Sequence, residues 1–255
     1  MSVVDPRITA AKRNLEKFSL VIPVLSPKGG VGKTSITALM AYSLALDNEF
    51  TVSLLDADFT NPNLHIVLGL DESNLKIEEE MGIKPIKVAP GIELMTLAAF
   101  VKDLTVPLRG NDIVNVIREL LAITRWNGKI MLIDSPPGFS DTHLEFLRLL
   151  IEVKEPKVLL VSTPTALALK AAERITRTLL SENIKILGLI GNMCLSVNDE
   201  NTIAQKAQQL TIPYLGCIPY ISNVEQFYGT SMLELVKKIG TPLTSIAKII
   251  KKQLY

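Results

Sequence analysis

Cysteine is scarce in this sequence: Cys194 and Cys217 are the only two among 255 residues. Two cysteines so far apart along the chain form neither a disulfide framework nor a close-spaced metal pair. Their scarcity favours a reducing, cytoplasmic setting. Cys217 lies in the stretch YLGCIPY, which predicts a buried strand, and a cysteine in such a place usually serves as a small hydrophobic residue.

Excess charge, long apolar runs and targeting signals are lacking as well. A formal net charge of +1 gives no global reason to expect nucleic acid as a partner, although a local basic patch would still allow it. The apolar runs, such as 157–161, are too short to span a bilayer. No signal peptide is visible at the N-terminus. These absences together predict a soluble protein.

Strand and helix patterns alternate along the chain. The length fits one large α/β domain, with two small ones as the alternative. Seven nearly continuous apolar runs predict strands buried on both faces of a parallel sheet, and they cover 20–25, 52–55, 92–96, 129–133, 158–162, 186–190 and 214–218. Helical patterns cover 33–46, 113–123, 142–150, 167–180, 202–209 and 233–238. The alternation predicts a doubly wound, mostly parallel sheet flanked by helices.

One domain spanning 1–255 is the economical interpretation, because no repeat or flexible linker is visible. Within it, residues 1–19 are expected to form an N-terminal extension and 242–255 a C-terminal amphipathic helix. The charged segment 69–91, which is interrupted by glycine and proline, is expected to be an exposed loop or short helix.

The stretch SPKGGVGKTS, residues 26–35, has the character of a phosphate-binding loop between a strand and a helix. Backbone N–H groups around its glycines can surround phosphate oxygens, and the helix start adds partial positive charge. Lys33 can reach the β- and γ-phosphates, and the Thr34 hydroxyl is placed to ligate Mg²⁺. Pro27 replaces the usual first glycine but precedes the cradle. We expect nucleotide contacts from Gly29, Gly30, Val31, Gly32, Lys33, Thr34 and Ser35.

Three carboxylates follow predicted strands at the edge where ligands bind in open α/β sheets. Asp56 and Asp58 end the strand at 52–55, and Asp134 ends the strand at 129–133. Asp134 fits the role of Mg²⁺ partner. Of the other two, one can orient the attacking water and the other can support the metal shell. Any single aspartate could instead cap a helix, but three in this arrangement favour phosphoryl chemistry.

These motifs resemble those of the deviant-Walker P-loop ATPases, the group that contains MinD, ParA and the Mrp-type iron–sulfur carriers. The resemblance rests on KGGVGKT, LLDADFTNPNLHIVLG and IMLIDSPPGFSDTHLE, in that order, and covers most of the chain. The stretches DSPPGFSDTHLEFLRLL, VSTPTALALKAAER and ILGLIGNMC are similar to the Mrp type in particular, as is VPLRGND with Arg109. The resemblance implies a P-loop NTPase fold and an ATP-binding and ATP-hydrolysing switch.

Residue roles also follow from the resemblance. Lys28 is expected to reach the nucleotide of a partner subunit, which implies a homodimer with ATP at its interface. Asp58 is expected to orient water, Asp56 to support Mg²⁺, and Asn192 to contact adenine. By the same resemblance Lys28, Lys33 and Asp58 form the catalytic set, and Thr34, Asp56 and Asp134 the metal set.

The sequence departs from the Mrp pattern in its cysteines. Mrp-type carriers usually hold a C-x-x-C pair after the NM segment, whereas here Cys194 has no second cysteine nearby. A [4Fe–4S] cluster normally takes four thiolates, which Cys194 and Cys217 could supply in a dimer only if they lie close in space. Binding of an iron–sulfur cluster, and with it contact with iron–sulfur client proteins, is therefore doubtful from sequence.

Two other roles remain open. A MinD/ParA-like positioning ATPase would act on membrane or DNA, and the near-neutral charge makes DNA the weaker choice. Leu243, Ile246 and Ile250 form an apolar stripe beside lysines, similar to a basic membrane-binding tail and consistent with a cytoplasmic protein peripheral to the membrane. The alternative for this tail, which we favour, is a helix packed on the sheet. A metabolic P-loop enzyme acting on a small acid is the third reading.

Overall fold

The computed structural model describes residues 5–47, 49–59, 61–71, 73, 75–100 and 110–254, with the side chains of 110 and 111 left aside. The strands in these ranges are β1 (Leu20–Leu25), β2 (Val52–Asp56), β3 (Glu78–Glu79), β4 (Ile83–Lys84), β5 (Ile86–Ala89), β6 (Ile92–Thr96), β7 (Ile130–Asp134), β8 (Lys157–Ser162), β9 (Lys185–Cys194) and β10 (Tyr214–Pro219). The helices are α1 (Pro6–Leu15), α2 (Lys33–Ala45), α3 (Leu64–Val67), α4 (Gly110–Ile123), α5 (Asp141–Val153), α6 (Ala166–Ser181), α7 (Val197–Gln209), α8 (Met232–Ile239) and α9 (Thr241–Lys251). Arg109 lies outside the described residues.

Eight strands form one central sheet in the order β10-β9-β8-β1-β7-β2-β6-β5. Neighbouring strands run parallel, except that β5 runs antiparallel to β6 at one edge. All seven predicted strands are present in the sheet, although β9 runs on to Cys194, beyond the predicted end. The predicted doubly wound, mostly parallel sheet is confirmed.

Helices cover both faces of this sheet, which is why its strands are apolar throughout. On β1, Val21 and Leu25 face one core layer, and Ile22 and Val24 face the other. The first layer is completed by α1, α4, α5, α6 and α7. The second is completed by α2, α3, α8 and α9. Because both faces are covered, the sheet opens to ligands only at the ends of its strands.

The segment 1–19, predicted to be an extension, contributes to the core in its described part. Asp5 caps α1 by accepting a hydrogen bond from the Arg7 backbone N–H at 2.9 Å. Ile8, Ala11 and Leu15 are buried, and α1 packs along α4. The polar residues of α1 between these apolar positions concealed the stripe in the sequence.

The predicted excursion 69–91 is only partly a loop. β3 and β4 form a small antiparallel hairpin, and β5 joins the main sheet beside β6. The strand β5 is only four residues long, and Ile86 is its only buried residue. Its short, half-exposed sequence therefore gave no clear strand signal.

The C-terminal helix α9 is packed into the core. Leu243, Ile246, Ala247 and Ile250 are buried in the layer that also holds α2. This arrangement agrees with the packed helix that the sequence favoured, and the apolar stripe of α9 faces the protein interior. Among the described helices, none has both the length and the apolar character that a bilayer crossing demands.

Candidate nucleotide-binding site

The loop 26–32 joins β1 to α2 and takes a backbone shape that depends on glycine. Gly30 and Gly32 have φ angles of 78° and 79°, in the left-handed region that other residues rarely adopt. Gly32 also packs against Asn192, because a Cβ at position 32 would come within 2.3 Å of the Asn192 side-chain nitrogen. The loop thus leads directly into the N-terminus of α2, where backbone N–H groups favour an anion.

Asn192 is buried near the end of β9 and supports this loop. Its Nδ2 donates a hydrogen bond to the Val31 carbonyl at 2.7 Å. Sequence reasoning predicted a contact with adenine for Asn192. The structure places it in the wall of an apolar pocket and also gives its amide this second role as a support for the loop.

Asp134 lies at the end of β7 and gathers three side chains of α2. Lys33 Nζ lies 2.5 Å from Asp134 Oδ1, and the Thr34 hydroxyl donates to Oδ2 at 2.8 Å. The Thr37 hydroxyl donates to Oδ1 at 3.1 Å. Lys33 and Asp134 are 6% and 1% exposed, so this ion pair is shielded from water, and loss of either partner would leave the other as an uncompensated buried charge.

The register of the sheet brings the predicted carboxylates together. Asp134 on β7 is level with Val24 on β1 and with Asp56 on β2, and Asp56 is level with Thr96 on β6. The polar side chains thus occur at the carboxyl ends of neighbouring strands, directly below the phosphate loop. Asp56 and Asp134 therefore lie at the same edge of the sheet, at level positions on neighbouring strands.

Asp56 is fully buried and holds the backbone that follows it. Its carboxylate accepts hydrogen bonds from the backbone N–H groups of Asp58 at 3.2 Å and Leu64 at 3.3 Å. The Thr96 hydroxyl donates to it at 3.4 Å. Burial and the negative charge of Asp134 raise the pKa of Asp56 well above its usual value. Asp56 therefore fixes the course of the chain from β2 to α3.

A cleft of about 260 Å³ lies over the phosphate loop, between it and the segment after β2. Lys28, Asp58 and Asn61 line it together with the glycines of the loop. Asp58 is nearly buried, and it accepts a hydrogen bond from the Asn61 backbone N–H at 3.3 Å. Lys28 is exposed at the rim. The structure therefore places the predicted catalytic residues Lys28, Lys33 and Asp58 around one opening.

A second, more apolar pocket of about 270 Å³ adjoins this cleft, and Gly30 and Gly32 line both. Its wall includes Asn192, Met193 and Ile218. Apolar walls of this kind suit a planar ring.

Two residues of the site were missed in the sequence. Thr37 is one helical turn after Lys33, so its i+4 spacing could have marked it as a neighbour of the same carboxylate. Tyr228 lies in the wall of the apolar pocket, and its hydroxyl is 2.7 Å from the Ser35 hydroxyl. No local pattern connects Tyr228 with the loop, since 193 positions separate the two residues.

His143 connects the start of α5 with the chain that follows Asp134. Its Nδ1 accepts hydrogen bonds from the Ser140 N–H at 3.1 Å and the Ser140 hydroxyl at 2.9 Å, which leaves the proton on Nε2. Nε2 donates to the Pro136 carbonyl at 3.1 Å. Burial lowers the pKa of His143, and the positive charge of Lys33 adds to this. These contacts give His143 a structural role at the start of α5.

Cys194 and Cys217 lie side by side on β9 and β10 and form a disulfide bond, with a Cα–Cα distance of 6.4 Å. The sequence left open whether the two cysteines lie close in space, and the parallel pairing of β9 with β10 brings them together. Each is only 8% exposed and belongs to the core cluster that contains Ile203 of α7. The pair is therefore covered by α7 on one face of the sheet.

The residues around Asp134 suit a magnesium ion. Mg²⁺ in P-loop proteins takes one hydroxyl, one carboxylate, phosphate oxygens and water rather than a complete protein cage. Thr34 and Asp134 supply the hydroxyl and the carboxylate, 2.8 Å apart. In the ranges that the structure covers, no group of three or more His, Cys, Asp and Glu is arranged to hold a metal ion. A metal here would therefore be shared with the nucleotide.

Known proteins are similar to this chain in sequence and in fold. An iron-sulfur cluster carrier protein of Rickettsia bellii (strain RML369-C) is 30% identical over 253 residues, which cover 98% of this chain and 74% of the relative. A nucleotide-binding protein of Archaeoglobus fulgidus, solved in complex with ADP, superimposes with a TM-score of 0.72 at 27% identity over 92% of this chain and 95% of its own. The cell division ATPase MinD of Pyrococcus furiosus has the same fold, with a TM-score of 0.67 at 20% identity over 92% and 99% of the two chains.

The match to a protein family covers nearly the whole chain. Residues 17–254 match the family described as "ParA: NUBPL iron-transfer P-loop NTPase". This span contains the phosphate loop, the three carboxylates and both cysteines. The predicted resemblance to the MinD, ParA and Mrp group is confirmed, and the chain belongs to the ParA family of NUBPL iron-transfer P-loop NTPases.

Proposed function

We propose that the protein is a dimeric ATPase switch that binds ATP with Mg²⁺ and hydrolyses it slowly, in the service of iron–sulfur protein maturation. The observation that carries the proposal is the convergence of Lys33, Thr34 and Thr37 on Asp134 beside the glycine loop. The name of the Rickettsia relative, an iron-sulfur cluster carrier protein, supports the biological setting.

Binding of ATP rests on the loop and on Lys33. The backbone N–H groups of the loop and of the α2 N-terminus surround the phosphates. A phosphate that enters the cleft competes with Asp134 for the Lys33 ammonium, so Lys33 passes from a carboxylate to the nucleotide. Thr34 and Asp134 would hold Mg²⁺, which supplies positive charge against the β- and γ-phosphates when bound.

Hydrolysis rests on Asp58. In our proposal its carboxylate accepts a hydrogen bond from the attacking water and orients it toward the γ-phosphate. Asp56 acts behind it as a positioning residue, because it holds the Asp58 and Leu64 backbone N–H groups. The rate depends mainly on positioning and charge, which suits a switch better than a rapid enzyme.

Dimer formation rests on Lys28. This lysine is exposed at the rim of the cleft and also lines a surface hollow beside Leu167 and Arg174 of α6. In our proposal it reaches the nucleotide of a second copy, which closes over the first with ATP between them. Each subunit would then complete the site of the other.

Variants of Lys33 and Asp58 test the ATPase. Lys33→Ala is expected to abolish ATP binding in calorimetry, because it removes the charge that meets the phosphates. Asp58→Ala is expected to keep binding and to lose turnover by about 100-fold. Lys170→Ala, which alters an exposed lysine on α6, serves as control for both. Normal turnover by Asp58→Ala would show that another group orients the water.

Light scattering of Asp58→Ala with ATP and Mg²⁺ tests the dimer. We expect a mass of two chains, and a single chain when Lys28→Ala is added. A mass of one chain for Asp58→Ala alone would overturn the proposed switch.

The cysteines do not fit a cluster site on this chain. A bonded pair supplies no thiolate, and each cysteine is only 8% exposed, in the core cluster that also contains Ile203 of α7. We therefore assign the chain to the ATP-dependent step of cluster transfer and treat the cluster as cargo held by other proteins. Anaerobic reconstitution of reduced protein with iron and sulfide tests this. Iron content is expected to match that of the Cys194→Ser, Cys217→Ser double variant, and a stable cluster lost in that variant would reverse the assignment.

A positioning role on membrane or DNA, the alternative from the sequence, has less support. The apolar stripe of α9 is buried, so the basic tail has little to insert into lipid. Liposome co-sedimentation with ATP is expected to leave the protein in the supernatant.

A further inference from the structure

The hydroxyl of Tyr228 contacts the helix that follows the phosphate loop. Tyr228 follows the short 3₁₀ helix Val224–Phe227, and Val224, Glu225 and Tyr228 all line the apolar pocket. Its Oη lies 2.7 Å from the Oγ of Ser35, the third residue of α2. Both residues line the apolar pocket, whereas Ser35 is absent from the wall of the phosphate cleft. The contact therefore lies between the phosphate cleft and the pocket expected to hold the base.

Building on the nucleotide site proposed above, we propose that Tyr228 is a positioning residue that orients the Ser35 hydroxyl toward the bound nucleotide. A hydroxyl donates one hydrogen bond and accepts others. If the Tyr228 O–H donates to Ser35, then the Ser35 O–H is directed to an oxygen on the base side of the phosphates or on the ribose. Such a chain of hydroxyls strengthens each of its hydrogen bonds.

The position of Tyr228 is fixed by its neighbour in the chain. Gly229 lies backbone to backbone against Gly69, just after α3, and a Cβ at Gly69 would come within 2.2 Å of the Gly229 Cα. Both glycines have positive φ, at 78° and 77°. The segment with Tyr228 therefore rests on the chain that leaves α3, and α3 is held by the bond from the Leu64 N–H to Asp56. The phenol is thus placed by the same part of the protein that holds Asp58.

The position of Ser35 predicts how loss of this contact changes the affinity for ATP and for ADP. Ser35 is on the base side, so its hydroxyl serves a group that ATP and ADP share. Weakening that bond lowers the affinity for both nucleotides by the same factor and leaves the chemical step alone. Lys33 differs, because it meets the β- and γ-phosphates. A rise in KM with an unchanged kcat is the sign of the Tyr228 role.

A double-mutant cycle tests the inference. Nucleotide affinity is measured for the full chain, Tyr228→Phe, Ser35→Ala and the double variant, with ATP and with ADP. Each single variant is expected to bind both nucleotides about threefold to tenfold more weakly. The double variant is expected to bind no more weakly than Ser35→Ala, since Tyr228 acts through Ser35. Tyr214→Phe is the matched control, because it also removes a phenol that is hydrogen-bonded to a side chain, at the opposite end of β10.

The outcomes separate this inference from the proposed function. If the unaltered protein binds neither nucleotide, the nucleotide site itself is overturned, and the inference falls with it. If the unaltered protein binds ATP, any of three results sinks the inference alone: Tyr228→Phe binds as tightly as the unaltered protein, the two single losses multiply in the double variant, or kcat falls while KM stays the same. Thermal melting of Tyr228→Phe and Ser35→Ala is measured alongside, and Ser35→Ala carries the test if Tyr228→Phe does not fold.

Discussion

The packing of α9 yields a prediction with a built-in control. Ile246 is fully buried and lies over Gly216 of β10, where a Cβ would come within 3.2 Å of Ile246 Cγ1. Ile249 is on the same helix and is 37% exposed. Ile246→Ala and Ile249→Ala change helix propensity by the same amount, so their difference reports burial alone. This difference separates a core helix from a detachable membrane tail.

The expected magnitude follows from burial. Truncating a buried isoleucine to alanine costs about 2–5 kcal/mol, because apolar contacts are lost and a cavity remains. The exposed Ile249→Ala is expected to cost less than about 1 kcal/mol. With a urea slope of about 3 kcal/mol/M, a loss of about 3 kcal/mol lowers the unfolding midpoint by about 1 M.

The assay is urea unfolding followed by circular dichroism, with the slope of the transition fitted for each variant. We expect the Ile246→Ala midpoint to fall by about 1 M and the Ile249→Ala midpoint to change little, at equal slopes. Equal midpoints for the two variants would refute the packing of α9. The apolar stripe would then be available to lipid, and the membrane alternative would regain its support.

Two further predictions concern the close backbone contact between Gly69 and Gly229 and the buried His143. Gly69→Ala is expected to cost at least about 2 kcal/mol of unfolding free energy, whereas Gly138→Ala, which also has positive φ but open space around its Cβ, should cost about 1 kcal/mol. Equal losses in thermal or urea unfolding would mean that the contact with Gly229 contributes nothing. The pKa of His143 is lowered by burial, so the unfolded chain takes up a proton below about pH 6.5, whereas the folded chain takes it up only at lower pH. As the pH is lowered below about 6.5, the unfolding free energy should therefore decrease more steeply in the unaltered protein than in His143→Gln. Parallel curves of unfolding free energy against pH, measured by urea unfolding, would contradict this.

The parallel strands were predictable because each is buried on both faces and so leaves a continuous apolar run in the sequence. The phosphate loop was predictable because its chemistry is contained in ten consecutive residues, 26–35. Asp56 and Asp134 could be placed as well, since each ends a strand and strand ends meet at one edge.

The remaining features depend on contacts between distant parts of the chain. The strand β5 is only four residues long and is defined by its antiparallel pairing with β6. The pairing of Cys194 with Cys217 follows from the neighbouring positions of β9 and β10, which the sequence does not specify. The contact of Tyr228 with Ser35 depends on the path of a loop near the C-terminus. Such contacts have no local signature, because they are set by how elements assemble.

Val24, Asp134, Asp56 and Thr96 are level with one another across four neighbouring strands. The register of the central sheet therefore fixes the positions of the side chains below the phosphate loop. Successive residues of a strand point to opposite faces, so a single inserted residue within β7 would turn Asp134 to the other side. Lys33 and Thr34 would then face an apolar side chain in its place. Loops around the cleft can change in length without this penalty. We therefore expect insertions and deletions to be tolerated in loops at the rim of the cleft and to be excluded from the strands that form its floor.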